Sequence, residues 1–368
     1  MHVGIIRFLL ALSVVCNHLQ FAPLAFGTAG QVSVQAFFLI SGFYISMALG
    51  TSYGNQAGRF WLNRALRLYP VYLIVAAASL ALNLITATGL VSAYASLPKS
   101  AAWLLALSNV LVFGQDWVMF TGVQQHALHV VASYADSSPQ LWTLLLVPPA
   151  WSLGVELTFY LIAPFILRLA TRWLAAIALV SVLLRVALFK FGLHLDPWGY
   201  RFFPTELVLF IMGAFSYRSV AWWRDILPAV RIYGLSAVGC VAVFIVAFPF
   251  VPAPWWIRNP LLYACLAVCL PMIFERFRRN RVDRLIGDLS YPLYISHWLT
   301  LAIMRDLQGE PRRLTSALLV MGATVLVAVL LNLLVEHPLE RLRTKVRGAR
   351  SVSVADRVTN GTGKLAID

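Results

Sequence analysis

Apolar runs alternate along the chain with short polar links rich in arginine. The runs occupy 5–24, 31–49, 71–90, 150–168, 174–192, 204–219, 231–249, 256–274, 289–304 and 315–335. A helix rises 1.5 Å per residue and the bilayer hydrocarbon is about 30 Å thick, so runs of about 17–25 residues predict spanning helices. The pattern therefore predicts an all-α, polytopic integral membrane protein with about ten transmembrane helices. One further run, 101–114, is too short to cross and reads as a re-entrant or interfacial segment. The spanning domain is taken as 1–340, and 341–368 as a basic, disordered cytoplasmic tail.

Composition agrees with this picture. The chain is 60% hydrophobic and 12% charged, whereas soluble domains lie near 45–50% and 25%. The net charge of +14 would suit nucleic acid, but the Lys and Arg residues sit in the short links, where they act as topology signals. With the N-terminus inside, twenty-one basic residues fall on the cytoplasmic side and six on the other. Both termini are thus expected in the cytoplasm. Counting 101–114 as a span would put the long 115–149 link inside, although 100–167 contain no Lys or Arg. The first run is read as a retained helix rather than a signal peptide, because Arg7 and His18 interrupt it and no small-x-small cleavage site follows. Cys16, Cys240, Cys265 and Cys269 all lie in apolar runs and read as small buried thiols. No metal site is expected, since His126 and His129 have no evident third ligand.

Ionisable side chains inside a span cost roughly 2.5–3.5 kcal/mol each on insertion scales and need a reason to be there. Arg7 and His18 are eleven residues apart, about three turns, so they share one face of the first helix about 16 Å apart. Such a stripe could join a cytoplasmic donor to an outward acceptor. The plainer readings are an interfacial anchor for Arg7 and a hydrogen-bonded core histidine for His18. Glu156 opens the fourth span at a depth matched to His18, where a carboxylate would orient the imidazole and raise its basicity; a helix N-terminal acid is the alternative. Ser41 and Gly42 on the second helix suit close helix contact. Arg64 and Arg67, three apart, share a helical face suited to phosphate, or else mark the inner side. Arg201 and Glu206 open the sixth span from outside, as a sugar-holding pair or as a mutual ion pair. His297 lies within the ninth span.

Taken together, these residues resemble acyltransferase family 3, membrane proteins that O-acylate bacterial surface sugars, lipids and some antibiotics. The resemblance runs from Arg7 to Arg341. It rests on Arg7 with His18, Phe38-x-x-Ser41-Gly42-Phe43, Arg64-x-x-Arg67-x-x-Pro70 and Trp151-Ser152-Leu153-x-x-Glu156. Further on come Arg201-x-x-Pro204 with Phe210 and Gly213, Ser290-Tyr291-Pro292-Leu293-Tyr294-x-x-His297-Trp298, and Glu336-x-Pro338-x-x-x-Arg341. It implies an acyl-CoA donor, often acetyl-CoA, a glycan or glycolipid acceptor such as an exopolysaccharide, lipopolysaccharide or lipo-oligosaccharide signal, and a central Arg7/His18 pair. The expected chemistry is O-acyl transfer. His18 would be general base or covalent acyl carrier, with Glu156 orienting it. Arg64 and Arg67, with Arg7, would hold donor phosphates. Tyr294 and His297 would serve the oxyanion, and Arg201 and Glu206 would meet the acceptor. A glycolipid transporter or flippase is the competing class, and the sequence shows no paired broken helices of the kind such proteins use.

Overall fold

The computed structural model describes residues 3–19, 21, 26–226, 231–310 and 313–347. The first helices are α1 (Gly4–Leu19), α2 (Gly30–Ala48) and α3 (Ala57–Ile85). Shorter ones follow at α4 (Leu90–Ser96), α5 (Lys99–Leu111) and α6 (Gln115–Val118). Long helices then resume with α7 (Trp151–Ile166), α8 (Thr171–Lys190), α9 (Phe203–Ile226), α10 (Gly234–Ala247) and α11 (Trp255–Phe277). The chain closes with α12 (Arg281–Asp288), α13 (Ser290–Gln308), α14 (Leu314–Leu331) and α15 (His337–Arg347). A small antiparallel hairpin, β1 (Thr121–Gln124) and β2 (Ala127–Val130), lies in the long link before α7.

The predicted runs fall on α1, α2, α3, α7, α8, α9, α10, α11, α13 and α14. Among the described residues, six stretches are long and apolar enough to cross a membrane: Gly30–Tyr53, Ala57–Ile85, Pro148–Ile166, Thr171–Lys190, Trp255–Phe277 and Leu314–Arg347. The chain is an all-α, multi-pass membrane protein. Gly4–Leu19 and Gly234–Phe250 are apolar but shorter. Helices α9 and α13 reach 24 and 19 residues yet fall outside the apolar set. Both carry polar side chains turned inward, Glu206 on α9 and Ser296, His297 and Thr300 on α13, all buried. Helix α5 has 13 residues, about 20 Å, and falls short of the hydrocarbon thickness. The segment expected as a tail begins inside a helix: α15 continues to Arg347, and Arg343 is buried in it. The rest of that expectation, 348–368, lies outside the described residues.

Helix α2 is the central pillar. The most apolar part of its span is 78% buried, against 11% for α8 and 17% for the α14–α15 span. The outer helices turn Leu179, Val180, Leu183, Leu319 and Leu326 outward, surface that only hydrocarbon solvates at low cost.

Two glycines let α2 and α9 touch backbone to backbone. A Cβ on Gly42 would lie 1.9 Å from the Phe210 carbonyl oxygen, and one on Gly213 would lie 1.9 Å from that of Leu39. This is the small-residue contact that joins helices in lipid. Gly213→Leu is expected to cost about 3 kcal/mol or more, because backbone rather than a flexible side chain must move. Gly322→Leu, facing open space, should melt like the parent chain in detergent. Equal melting of the two variants would remove this contact from the account.

Helix α1 is seated at its start by a remote carboxylate. The Asp283 side chain accepts from the Gly4 N–H at 2.9 Å and the Ile5 N–H at 3.0 Å, satisfying two orphan donors and the helix dipole together. A Cβ on Gly4 would meet the Asp283 carbonyl oxygen at 1.7 Å, so only glycine allows this approach. Thus α1 is fixed against α12 and runs alongside α13, and that seam positions the site.

Candidate active site

The seam has two ends with different chemistry. At the end near Asp283, helices α1, α2, α3, α7 and α13 enclose a cavity of about 90 Å³. Arg7, Arg64 and Arg67 line it together with Ser41, Ser152, Glu156, Tyr160 and Tyr294. The three arginines are 5–8% exposed. Arg64 donates to Asn63 Oδ1 at 3.1 Å, and its Nε has no partner. Arg343 of α15 is the fourth guanidinium at this end. Its carbonyl accepts from Asn63 Nδ2 at 2.8 Å, Nη1 donates to Glu340, and Nε has no partner. Glu336 stands close enough to Arg7, Arg67 and Arg343 to feel their charge. It sits on a π-helical turn, Asn332–Glu336, between α14 and α15. Such turns recur at functional sites.

Glu156 belongs to this end. Ser41 Oγ donates to its Oε1 at 2.6 Å, and the Tyr160 hydroxyl donates to the same oxygen. The pairing expected between Glu156 and His18 is not made. Depth counted from helix ends placed them level, but α7 delivers Glu156 to the arginine cavity, while His18 Nδ1 hydrogen-bonds the Val14 carbonyl at 2.9 Å. Tyr160 was missed, although it lies four residues after Glu156 and so shares its helical face.

His18 faces His297 at the other end, with ring centroids 5.0 Å apart, and Trp298 edge-on at 5.5 Å. His297 is fully buried, and its Nδ1 meets the Tyr294 carbonyl at 2.5 Å. A carbonyl only accepts, so each Nδ1 carries the proton. Each Nε2 is therefore the lone-pair nitrogen of the neutral ring. His297 Nε2 has no partner. Tyr294 joins the two ends. It lines the cavity, its ring lies 5.9 Å from His297, and its hydroxyl donates to the Pro149 carbonyl at 3.0 Å beside Ser152. With these protons so engaged, neither Tyr294 nor His297 is set to donate to an oxyanion in this conformation, contrary to the expectation from sequence.

The expected Arg201–Glu206 pair is also not made. Arg201 binds Asp196 through Nε at 2.5 Å and Nη2 at 2.8 Å, and stacks on Trp151 at 4.2 Å. Glu206 is fully buried, accepting from Arg185 at 2.6 Å and from Gln35 Nε2 at 3.0 and 3.1 Å. Tyr263 completes that network by donating to Gln35 Oε1 at 2.6 Å. Glu206 is thus a buried ion-pair partner inside the bundle and not a group at an outward mouth. Arg185 lies within the predicted run 174–192, but its partner 21 residues on lies on a neighbouring helix, which spacing does not reveal.

Cys240, Cys265 and Cys269 gather between α10 and α11 with their sulfurs within 4.8 Å of one another. Cys240 is exposed on the apolar surface, where thiolates around a cation would have to sit against hydrocarbon.

In the link before α7, Asp116 is 2% exposed and packs against Gly154. Burial raises its carboxyl from 3.8 to about 7. Below pH 3.8 the group is neutral in both folded and unfolded chains. Between 3.8 and about 7 the unfolded chain ionises while the folded one stays neutral, so stability falls as pH rises through that window. Asp116→Asn should therefore raise the melting point at pH 8, by on the order of 2–4 kcal/mol of stability, and change it little at pH 4. A gap independent of pH would contradict this.

Residues 3–333 match the model of the acyltransferase domain family, acyltransferase family 3. The chain belongs to this family. It is 27% identical to nodulation protein 10 of Rhizobium leguminosarum bv. viciae over 88% of this chain and 85% of that one. It is 24% identical to the acyltransferase MdmB of Streptomyces mycarofaciens over 92% and 90%. It is 23% identical to the peptidoglycan O-acetyltransferase OatA of Listeria monocytogenes over 91% of this chain and 55% of that protein. The chain thus spans only about half the length of the Listeria enzyme. No solved structure matches it. As a member of the family it is an acyltransferase.

Proposed function

We propose that the protein is an O-acyltransferase that moves an acyl group, acetyl in the simplest case, from acyl-CoA to a hydroxyl of a surface glycan or glycolipid of the bacterial inner membrane. The observation that carries this reading is the seam between α1 and α13, with buried arginines at one end and two imidazoles at the other. Arginine forks pair with phosphate in bidentate geometry. Arg64 and Arg67 are assigned to the donor's phosphates, and Arg343 joins them. Arg7 reaches the same cavity from the helix that carries His18, and is assigned with them to the donor's phosphates. Glu156 offsets the arginine charge and holds Ser41 and Tyr160 in place.

His18 Nε2 takes the proton of the acceptor hydroxyl while the hydroxyl oxygen bonds to the thioester carbon. As the tetrahedral centre collapses, the carbon–sulfur bond breaks and the departing thiolate takes that proton. In the covalent variant Nε2 itself bonds to the acyl carbon and expels the thiolate; the hydroxyl oxygen then bonds to that carbon, the carbon–Nε2 bond breaks, and the hydroxyl proton passes through Nε2 to the thiolate. The locked Nδ1–H serves either route.

Membranes containing the protein, incubated with radiolabelled acetyl-CoA and extracted glycolipid, should yield glycolipid that carries the label and has gained an acetyl mass. Glycolipid that is moved across the bilayer but chemically unchanged would refute the reading in favour of transport.

A further inference from the structure

An aromatic row, none of it lining the arginine cavity, leads away from His18. Trp298 touches the His18 ring at 5.5 Å, Trp142 meets Trp298 at 6.4 Å, and Tyr134 meets Trp142 at 6.1 Å. Tyr134 and Trp142 come from the long link before α7, Trp298 from α13. All three rings are half-buried, so each keeps some surface open. Beside the row stands a planar polar group. The Tyr134 hydroxyl donates to Asp196 Oδ2 at 2.9 Å, Arg201 forks onto the same carboxylate, and the Arg201 guanidinium lies 6.0 Å from the Tyr134 ring. Arg201 is 9% exposed, and its Nη1 has no partner. Packing does not require this arrangement. A core would fill the row with aliphatic side chains and would not leave a buried guanidinium donor unsatisfied.

We propose that Tyr134, Trp142, Trp298, Asp196 and Arg201 form the subsite for a sugar ring of the acceptor, presenting its hydroxyl to His18. One face of a pyranose is a patch of C–H groups, which lies flat on an indole or phenol ring. Its edge is a ring of hydroxyls, which suits a paired carboxylate and guanidinium. Rings with one apolar body and one polar tip serve such half-wet sites. The subsite selects a carbohydrate over a plain alcohol. It rests on the reading of the protein as a sugar O-acyltransferase, and it adds Tyr134, Trp142, Trp298 and Asp196 to the residues that decide the acceptor.

The test uses the full chain in lipid nanodiscs and an octyl β-glucoside bearing a photoreactive diazirine, with an octyl diazirine lacking the sugar as control. Labelled peptides are located by mass spectrometry. The glucoside probe should label the 134–142 link and the Trp298 region. Trp142→Ala should weaken its apparent affinity by about tenfold, Trp142→Phe should restore most of it, and the sugar-free probe should respond to neither change. Tyr134→Phe, which keeps the ring and removes the hydroxyl, should also weaken the glucoside probe alone. Glucoside labelling that is unchanged in both Trp142→Ala and Tyr134→Phe, or that falls equally with the sugar-free probe, overturns the subsite. Labelling needs no acyl transfer. A protein that captures the glucoside here but never acetylates it would sink the proposed reaction and leave the sugar subsite standing.

Discussion

His18→Ala is expected to give a folded, inserted protein whose acyl transfer falls by about 10²–10⁴-fold, the range of a lost general base. His18 lies near the end of α1, and its ring packs only partly into the bundle. Removing it leaves the Asp283 cap of α1 and the α2–α9 contact intact, so melting should change little while turnover collapses. His297→Ala separates two interpretations. If His297 only buttresses His18, its loss costs less than that of His18, and restoring ring bulk with His297→Phe recovers part of the rate. An inserted His18→Ala protein that transfers acetyl at the parent rate would remove the imidazole from the mechanism.

The second large effect belongs to the donor. Arg67→Met is expected to raise KM for acetyl-CoA by about 10–100-fold, the worth of one charge-assisted contact, and to change kcat far less. The same variant assayed with an acetyl thioester that lacks the nucleotide phosphates should match the parent chain. This contrast distinguishes phosphate binding from general damage to the cavity, because a collapsed cavity would impair both donors. Arg343→Met should behave in the same direction with a smaller effect, since Arg343 approaches from α15 and does not line the cavity. Equal losses with both donors would reassign these arginines to holding the bundle together.

Much of this was legible from the order of apolar and polar residues. Each apolar run falls on a helix. Of the ionisable groups singled out, Arg7, Arg64, Arg67, Arg201, Glu206 and His297 are all buried. The partners were not legible, and the reason is geometric. Sequence spacing fixes which residues share a face of one helix, as with Arg64 and Arg67, but not how far a neighbouring helix is rotated or raised. Glu156 therefore went to Ser41 and Tyr160 instead of His18. Glu206 went to Arg185 instead of Arg201. A three-residue 3₁₀ turn at Pro148–Ala150 leads into α7 and a π-turn at Leu49–Tyr53 follows α2, and counting 3.6 residues per turn does not carry through either. Arg343 was hidden for a different reason. Beyond residue 340 the sequence turns polar and basic, as a loose tail would, yet α15 packs on α3 and carries that arginine inside.

The account depends on the arginine cavity and the imidazole pair being two ends of one reaction path. Proteoliposomes in which every molecule faces the same way, with Arg347→Cys labelled to mark the α15 side, test this most directly. Acetyl-CoA supplied only on the α15 side should drive acetylation of a glycolipid in the bilayer, and acetyl-CoA supplied only on the opposite side should give none. Equal transfer from either side, or transfer only from the side of Trp142, would contradict the path from arginine to histidine.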